Sequence, residues 1–200
     1  DDGSQEILKL LSFTSARIAQ GEVLQLEHKG EVDLLEETYI NIINMKTAAL
    51  FAAATKVGAY LGNKSKKEKD ALDSYGKNLG LAFQIADDAL DYFSTKNIFG
   101  KEIGKDFYEG KTTLPIIITF QRANNEERIF LKKTFKKKNR NEDDFSETMD
   151  LINKYKAIQA TFKRAEHFVN ISYDSIGIFP YSEEKKILQN LTGFSLNRSF

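Results

Sequence analysis

The chain has 200 residues, 41% of them apolar, with 29 lysines and arginines against 29 aspartates and glutamates and no cysteine. That length sustains one substantial domain and not comfortably two, and the even charge leaves no bulk field with which to hold nucleic acid. Disulfides and thiolate metal sites are excluded, and no run approaches the roughly 18 apolar residues of a membrane span. His28 and His167 lie far apart and suggest no zinc pair. The opening Asp1-Asp2-Gly3-Ser4 has neither an initiator methionine nor a signal-peptide pattern, so the chain is expected to begin after processing or inside something longer.

From Ser4 to about His28 the pattern is helical, with Ile7, Leu11, Thr14, Ile18, Gly21 and Gln25 along one stripe. The stripe turns small and polar at its end, where Glu22 and Gln25 stand one turn apart, and Gly30 ends it. Asp33 and Glu36 read as a capping pair for a second helix that runs to Gly62. Its buried stripe is Tyr39, Ile42 or Ile43, Lys46, Leu50, Ala53 and Val57. Lys46 is therefore a cation in an alanine-rich, close-packing helix. Either it snorkels to water or it serves an anion, and this stretch leaves both readings open; Thr47 adds a hydroxyl beside it. Ser65 and Glu68 cap a third helix, Lys66 to Phe93, on which Gly76 and Gly80 suggest close approach of another helix.

Within that third helix Gln84, Asp87, Asp88 and Asp91 recur at offsets of three and four, which stacks them on one face. Like charges at that spacing cost about 0.2–0.5 kcal/mol per pair, and a buried carboxylate costs more. A solvated acidic face is the competing reading, but no lysine or arginine falls between Lys77 and Lys96 to intersperse it. Three carboxylates with an amide one turn before suit a hard divalent ion. Mg²⁺ fits, since it takes one or two carboxylates and is completed by water and substrate phosphates.

Ser94 to Lys111 reads as a long loop in which Gly100-Lys101, Gly104-Lys105-Asp106 and Gly110-Lys111 pair glycine with lysine. Glycine lets backbone approach an anion, and lysine acts as a point charge on phosphate. The spacing is not that of a P-loop. Thr112 or Thr113 then caps a core helix with Pro115 in its first turn and Leu114, Ile116, Ile117, Ile118 and Phe120 nearly all round it. Lys132 to Asp144 reads as a charged, solvated connector, and Glu147 to Tyr155, Ala157 to about Tyr173 and Ser182 to Phe194 as packing helices.

Four segments together carry a resemblance: Gly21-Glu22-Val23-Leu24-Gln25-Leu26, Lys46-Thr47-Ala48-Ala49-Leu50-Phe51, Gly80 to Asp91, and Gly100-Lys101 through Gly110-Lys111-Thr112-Thr113-Leu114-Pro115. In this order they resemble the trans-isoprenyl diphosphate synthases, in particular the polyprenyl diphosphate synthases that make long quinone side chains. The likeness is strong to about Gln121 and loose beyond. It implies an all-α isoprenoid synthase fold, here a single partial domain over residues 1–200 without its N-terminal helices, in a cytoplasmic homodimer that can pass its product to a membrane. It implies that Asp87, Asp88 and Asp91 hold Mg²⁺ against an allylic diphosphate gripped by Lys46, Lys101 and Lys111. Thr47 and Gln84 would line the reacting carbons, and Glu22, Gln25 and Asp106 would form the surrounding shell. The reaction implied is attack of isopentenyl diphosphate on the ionised allylic diphosphate, with electrostatic stabilisation of the leaving group.

The family's first aspartate-rich motif and its isopentenyl-diphosphate-binding segment do not occur in these residues, so the chain alone is expected to be inactive. Competing functions are a non-catalytic subunit of a heteromeric prenyl synthase, a terpene cyclase on the same fold, and a helical interaction module. The intact aspartates argue against the first, and the Gly-Lys loop and Gly-Lys-Thr-Thr-Leu-Pro against the second.

Overall fold

The computed structural model describes residues 4–93 and 103–194. Among them there are helices and no strand: α1 (Gln5–Glu27), α2 (Glu36–Ile43), a π turn (Asn44–Ala48), α3 (Ala49–Leu61), α4 (Lys66–Phe93), α5 (Lys105–Glu109), α6 (Leu114–Arg122), α7 (Asn125–Lys136), α8 (Glu142–Lys154), α9 (Ala157–Ser175) and α10 (Glu183–Phe194). These described residues gather into two compact units, one of 4–23, 41–84 and 165–194, the other of 24–40, 85–93 and 103–164.

In the first unit the glycines of α4 do what their spacing predicts. A Cβ on Gly76 would lie 2.3 Å from Thr55 Oγ1 and 2.4 Å from the Phe51 carbonyl oxygen, so α3 and α4 touch backbone to backbone. Thr55 uses the proximity to donate to the Leu72 carbonyl at 2.6 Å. Tyr75 is fully buried and donates its phenol to the Leu188 carbonyl at 2.7 Å, while Ser172 donates to the Tyr75 carbonyl at 2.9 Å. A buried tyrosine needs such a partner.

The second helix of the sequence reading is interrupted. Asn44–Ala48 is a π turn, in which each N–H bonds one residue further back and an extra residue is taken into the turn. The buried face therefore passes from Ile42 and Ile43 to Ala48 and Ala49, and Leu50, expected inside, is 54% exposed. Asp33 does not cap either: α2 starts at Glu36, and the Asp33 carboxylate accepts from Lys132 at 2.7 Å. On α1 the expected stripe is buried only at Thr14 and Gly21, and Leu11 is exposed.

In the second unit α6 is buried from Leu114 through Thr119, as its apolar run predicts. Thr113 stands at its N-cap in extended conformation, but its hydroxyl makes no cap bond. Lys132 to Asp144, expected as a solvated connector, instead supplies the end of α7 and the start of α8. Both helices open with reciprocal capping boxes, Asn124 with Glu127 and Asn141 with Asp144, which outweigh the charge of the segment. Phe107, Phe135 and Phe145 form the aromatic centre, with Phe107 5.5 Å and 5.3 Å from the other two rings.

Glu127 carries a testable pH dependence. The Lys154 ammonium, the Tyr155 phenol and the Asn124 N–H hold its carboxyl down at about 2. A depressed folded pKa stabilises above the unfolded value of about 4.3 and loses that stabilisation as pH falls through the folded one. The melting-temperature gap between the protein and Glu127→Gln is expected to be constant above about pH 5 and to close towards pH 2. A gap unchanged in acid would contradict this.

Candidate active site

In the first unit the π turn carries Lys46 and Thr47. Lys46 Nζ lies 3.2 Å from Glu22 Oε1, an ion pair with one side chain half exposed, which contributes little stability but sets a direction for the ammonium. Thr47 Oγ1 donates to Gln84 Oε1 at 2.8 Å, fixing the plane of the amide. The turn thus pairs Lys46 with Glu22 of α1 and Thr47 with Gln84 of α4. Gln25 is partly buried at the end of α1.

In the second unit Asp88 is 4% exposed, and its Oδ2 accepts from the Tyr39 phenol at 2.6 Å. Burial and the Asp88 charge push the Tyr39 phenol well above its ordinary pKa, so it stays a donor. Short O–H···O⁻ bonds of this kind are charge-assisted and about twice as strong as neutral ones. Asp91 closes the helix onto α5: its carbonyl accepts the Gly104 N–H and its Oδ2 the Asp106 N–H, both at 2.9 Å. Asp106 Oδ1 in turn pairs with Lys111 Nζ at 3.0 Å, and Glu109 Oε2 lies 2.7 Å from the same nitrogen. Burial pulls the Lys111 ammonium down, but the Glu109 and Asp106 carboxylates more than offset it and the net shift is upward.

Gly104 and Gly110 bracket α5 in the left-handed region, at φ 76° and 73°. Their role here is packing: a Cβ on Gly104 would strike the Phe145 ring at 2.4 Å, and one on Gly110 the Arg140 guanidinium at 2.6 Å. Lys101 lies outside the described residues.

The donor set of Asp87, Asp88 and Asp91 is all oxygen, partly or fully buried, and on one helix, which suits a hard divalent cation. Among the described residues no three His, Cys, Asp or Glu already converge as a metal cage. Tyr39 and the Asp106 N–H each hold one carboxylate oxygen, of Asp88 and Asp91 respectively. The arrangement fits a cation whose shell is completed by phosphate and water.

Tyr39 and Glu109 were absent from the sequence reading of the site. In the sequence Tyr39 stands on an apolar stripe, and the signal it offers is that a buried phenol requires an acceptor. Glu109 gave no signal, because its pairing with Lys111 depends on the turn at Gly110.

The sequence profile described as Polyprenyl synthetase matches residues 2–152. An octaprenyl diphosphate synthase of Haemophilus influenzae is 30% identical over 197 residues, 98% of this chain and 60% of that protein. An all-trans-nonaprenyl-diphosphate synthase (geranyl-diphosphate specific) of Rhodobacter capsulatus is 34% identical, over 96% of this chain and 58% of its own length. A polyprenyl synthase from Caulobacter crescentus, solved in complex with calcium and isoprenyl diphosphate, superposes with a TM-score of 0.92 at 37% identity, covering 98% of this chain and 60% of that one. The chain thus spans about 60% of the length of these relatives. Its fold is the all-α fold of those synthases. With an aspartate triad set in the last two turns of α4 and this family's sequence running through residues 2–152, the chain belongs to the polyprenyl synthetase family.

Proposed function

We propose that these residues, acting as one helical domain, carry the allylic-diphosphate side of a trans-prenyltransferase. In a protein of its relatives' length the chain would add isopentenyl diphosphate to an allylic diphosphate such as farnesyl diphosphate, giving a longer trans-polyprenyl diphosphate. The observation that supports this most is Asp88, a carboxylate buried inside a continuous helix and held by a phenol, with Asp87 and Asp91 beside it. A solvated acidic face would have no use for that burial.

Asp87, Asp88 and Asp91 would hold Mg²⁺, which when bound supplies positive charge to the diphosphate oxygens. Lys46, Lys101 and Lys111 would bind the same oxygens, Lys111 with its ammonium kept charged by Asp106 and Glu109. The allylic C–O bond then breaks with its electron pair leaving on the diphosphate. The isopentenyl double bond supplies the electrons of the new C–C bond, and its C2 proton passes to the departing diphosphate. Thr47 and Gln84, hydrogen-bonded to each other, would turn oxygen dipoles towards the allylic cation. A homodimer in the cytoplasm, making a quinone side chain, is the setting the family resemblance supports.

The test is Mg²⁺-dependent addition of labelled isopentenyl diphosphate to farnesyl diphosphate, with products sized, by this chain alone and by the chain extended to its relatives' length. Turnover only by the extended protein is expected. Absence of turnover by the extended protein would remove the proposal, and indifference to Asp87→Asn would turn it towards a non-catalytic subunit.

A further inference from the structure

The π turn of the first unit is held from two sides by glycine. A Cβ on Gly21 of α1 would lie 2.6 Å from the Lys46 amide nitrogen, 2.9 Å from Met45 Cβ and 3.0 Å from Lys46 Cα. A Cβ on Gly80 of α4 would lie 2.6 Å from Ala48 Cα and 3.1 Å from Ala48 Cβ. The nearest atom in each case is backbone and the rest are backbone or Cβ atoms, which no rotamer change moves. Gly21 is itself buried in a helix that buries little else.

A π turn is a local excursion with poorer hydrogen-bond geometry than the α-helix around it, and such turns persist where surroundings enforce them. The structure supplies the enforcement at the two residues flanking Thr47. Lys46 is pressed by Gly21, and its ammonium is caught by the next residue of α1, Glu22, at 3.2 Å. Ala48 is pressed by Gly80, one turn before Gln84, to which Thr47 donates.

We infer that Gly21 and Gly80 are positioning residues that clamp the π turn and so aim Lys46 and Thr47. The inference rests on the reading that Lys46 binds a diphosphate. An alanine at Gly21 must push α1 off the turn and carry the Lys46 backbone with it. Displacements of about 1 Å at a binding group are enough to cost one to two orders of magnitude in function.

The experiment compares Gly21→Ala, Gly76→Ala, Lys46→Ala and Gly21→Ala/Lys46→Ala for calorimetric binding of inorganic pyrophosphate in Mg²⁺, with melting temperature measured beside it. Gly76 is the control for packing, because its approach is as tight but meets Phe51 and Thr55 rather than the turn. Gly21→Ala is expected to weaken pyrophosphate binding about tenfold. Gly76→Ala should lower the melting temperature without that loss. The double variant should bind no worse than Lys46→Ala, since a residue acting through Lys46 has nothing left to aim. Equal losses at Gly21 and Gly76, or additive losses in the double variant, would overturn the inference. No loss in Lys46→Ala would instead remove the diphosphate reading of Lys46. Should Gly21→Ala not fold, Glu22→Gln decides: it spares the packing and removes the carboxylate charge 3.2 Å from the Lys46 ammonium, and unchanged pyrophosphate binding would overturn the inference.

Discussion

Tyr39→Phe is expected to weaken Mg²⁺ binding by about 10–100-fold, the usual effect of losing a partner that orients a metal ligand. The substitution removes one oxygen from a buried site and keeps the ring that fills it. What goes is the 2.6 Å bond to Asp88 Oδ2, and with it the constraint on the plane of that carboxylate. Because the bond reaches a charged group, stability should also fall by about 1.5–3 kcal/mol. Stability alone would not identify the role, since any buried hydrogen bond costs something to remove. Tyr75→Phe supplies the comparison: the residue is also buried, and its phenol donates at 2.7 Å to a neutral group, the Leu188 carbonyl, both within the first unit. It should lower stability by about 0.5–1.5 kcal/mol and leave Mg²⁺ affinity alone. Calorimetric titration of Mg²⁺ in the presence of pyrophosphate, with urea unfolding of each variant, separates the two. Equal metal affinity in the protein and in Tyr39→Phe would mean that Asp88 is not a ligand, or that its orientation is set elsewhere.

The reach of the sequence is clearest along α4. Its limits, Lys66 and Phe93, its acidic face and its close-contact glycines could all be read in advance, because one uninterrupted helix ties periodicity to geometry. The region before it departs from its periodicity for a related reason. Extrapolating a 3.6-residue period through Asn44–Ala48 puts Lys46 and Leu50 on the buried stripe, whereas the extra residue in the turn leaves Leu50 outside and Ala49 inside, and Ala53 is buried as expected. Nothing in Asn-Met-Lys-Thr-Ala announces a π turn; its cause lies in Gly21 and Gly80, distant in sequence. The same holds for the site. Aspartates on one helix are visible as a pattern, whereas Tyr39, 49 residues from Asp88, is visible only in the fold. The charged stretch after Lys132 failed differently: composition suggested a connector, and two short capping signatures, Asn124 with Glu127 and Asn141 with Asp144, were the better guide.

Gly104→Ala is expected to destabilise the second unit by about 2–5 kcal/mol, from two additive causes. Gly104 sits at φ 76° and ψ 21°, where an L side chain costs about 1–2 kcal/mol. Its Cβ would also lie 2.4 Å and 2.7 Å from two carbons of the Phe145 ring. That ring cannot simply swing aside, for it stacks on Tyr108 at 5.5 Å and packs on Phe107 at 5.3 Å. Overpacking of a filled core costs about 1–3 kcal/mol. The alternative relief is for the start of α5 to lift, which stretches the Gly104 N–H bond to the Asp91 carbonyl and the Asp106 N–H bond to the Asp91 carboxylate. Steric relief would therefore come at the expense of an aspartate on the acidic face. Urea unfolding of Gly104→Ala and Gly104→Ala/Phe145→Leu measures the division: the smaller side chain should recover the packing share and leave the backbone strain. Gly177→Ala, with nothing within 4 Å of the added Cβ and no left-handed conformation, should show no such loss. A Gly104→Ala variant as stable as the parent would mean that α5 can move freely, and the tie between Asp91 and Asp106 could then not hold the carboxylate in place.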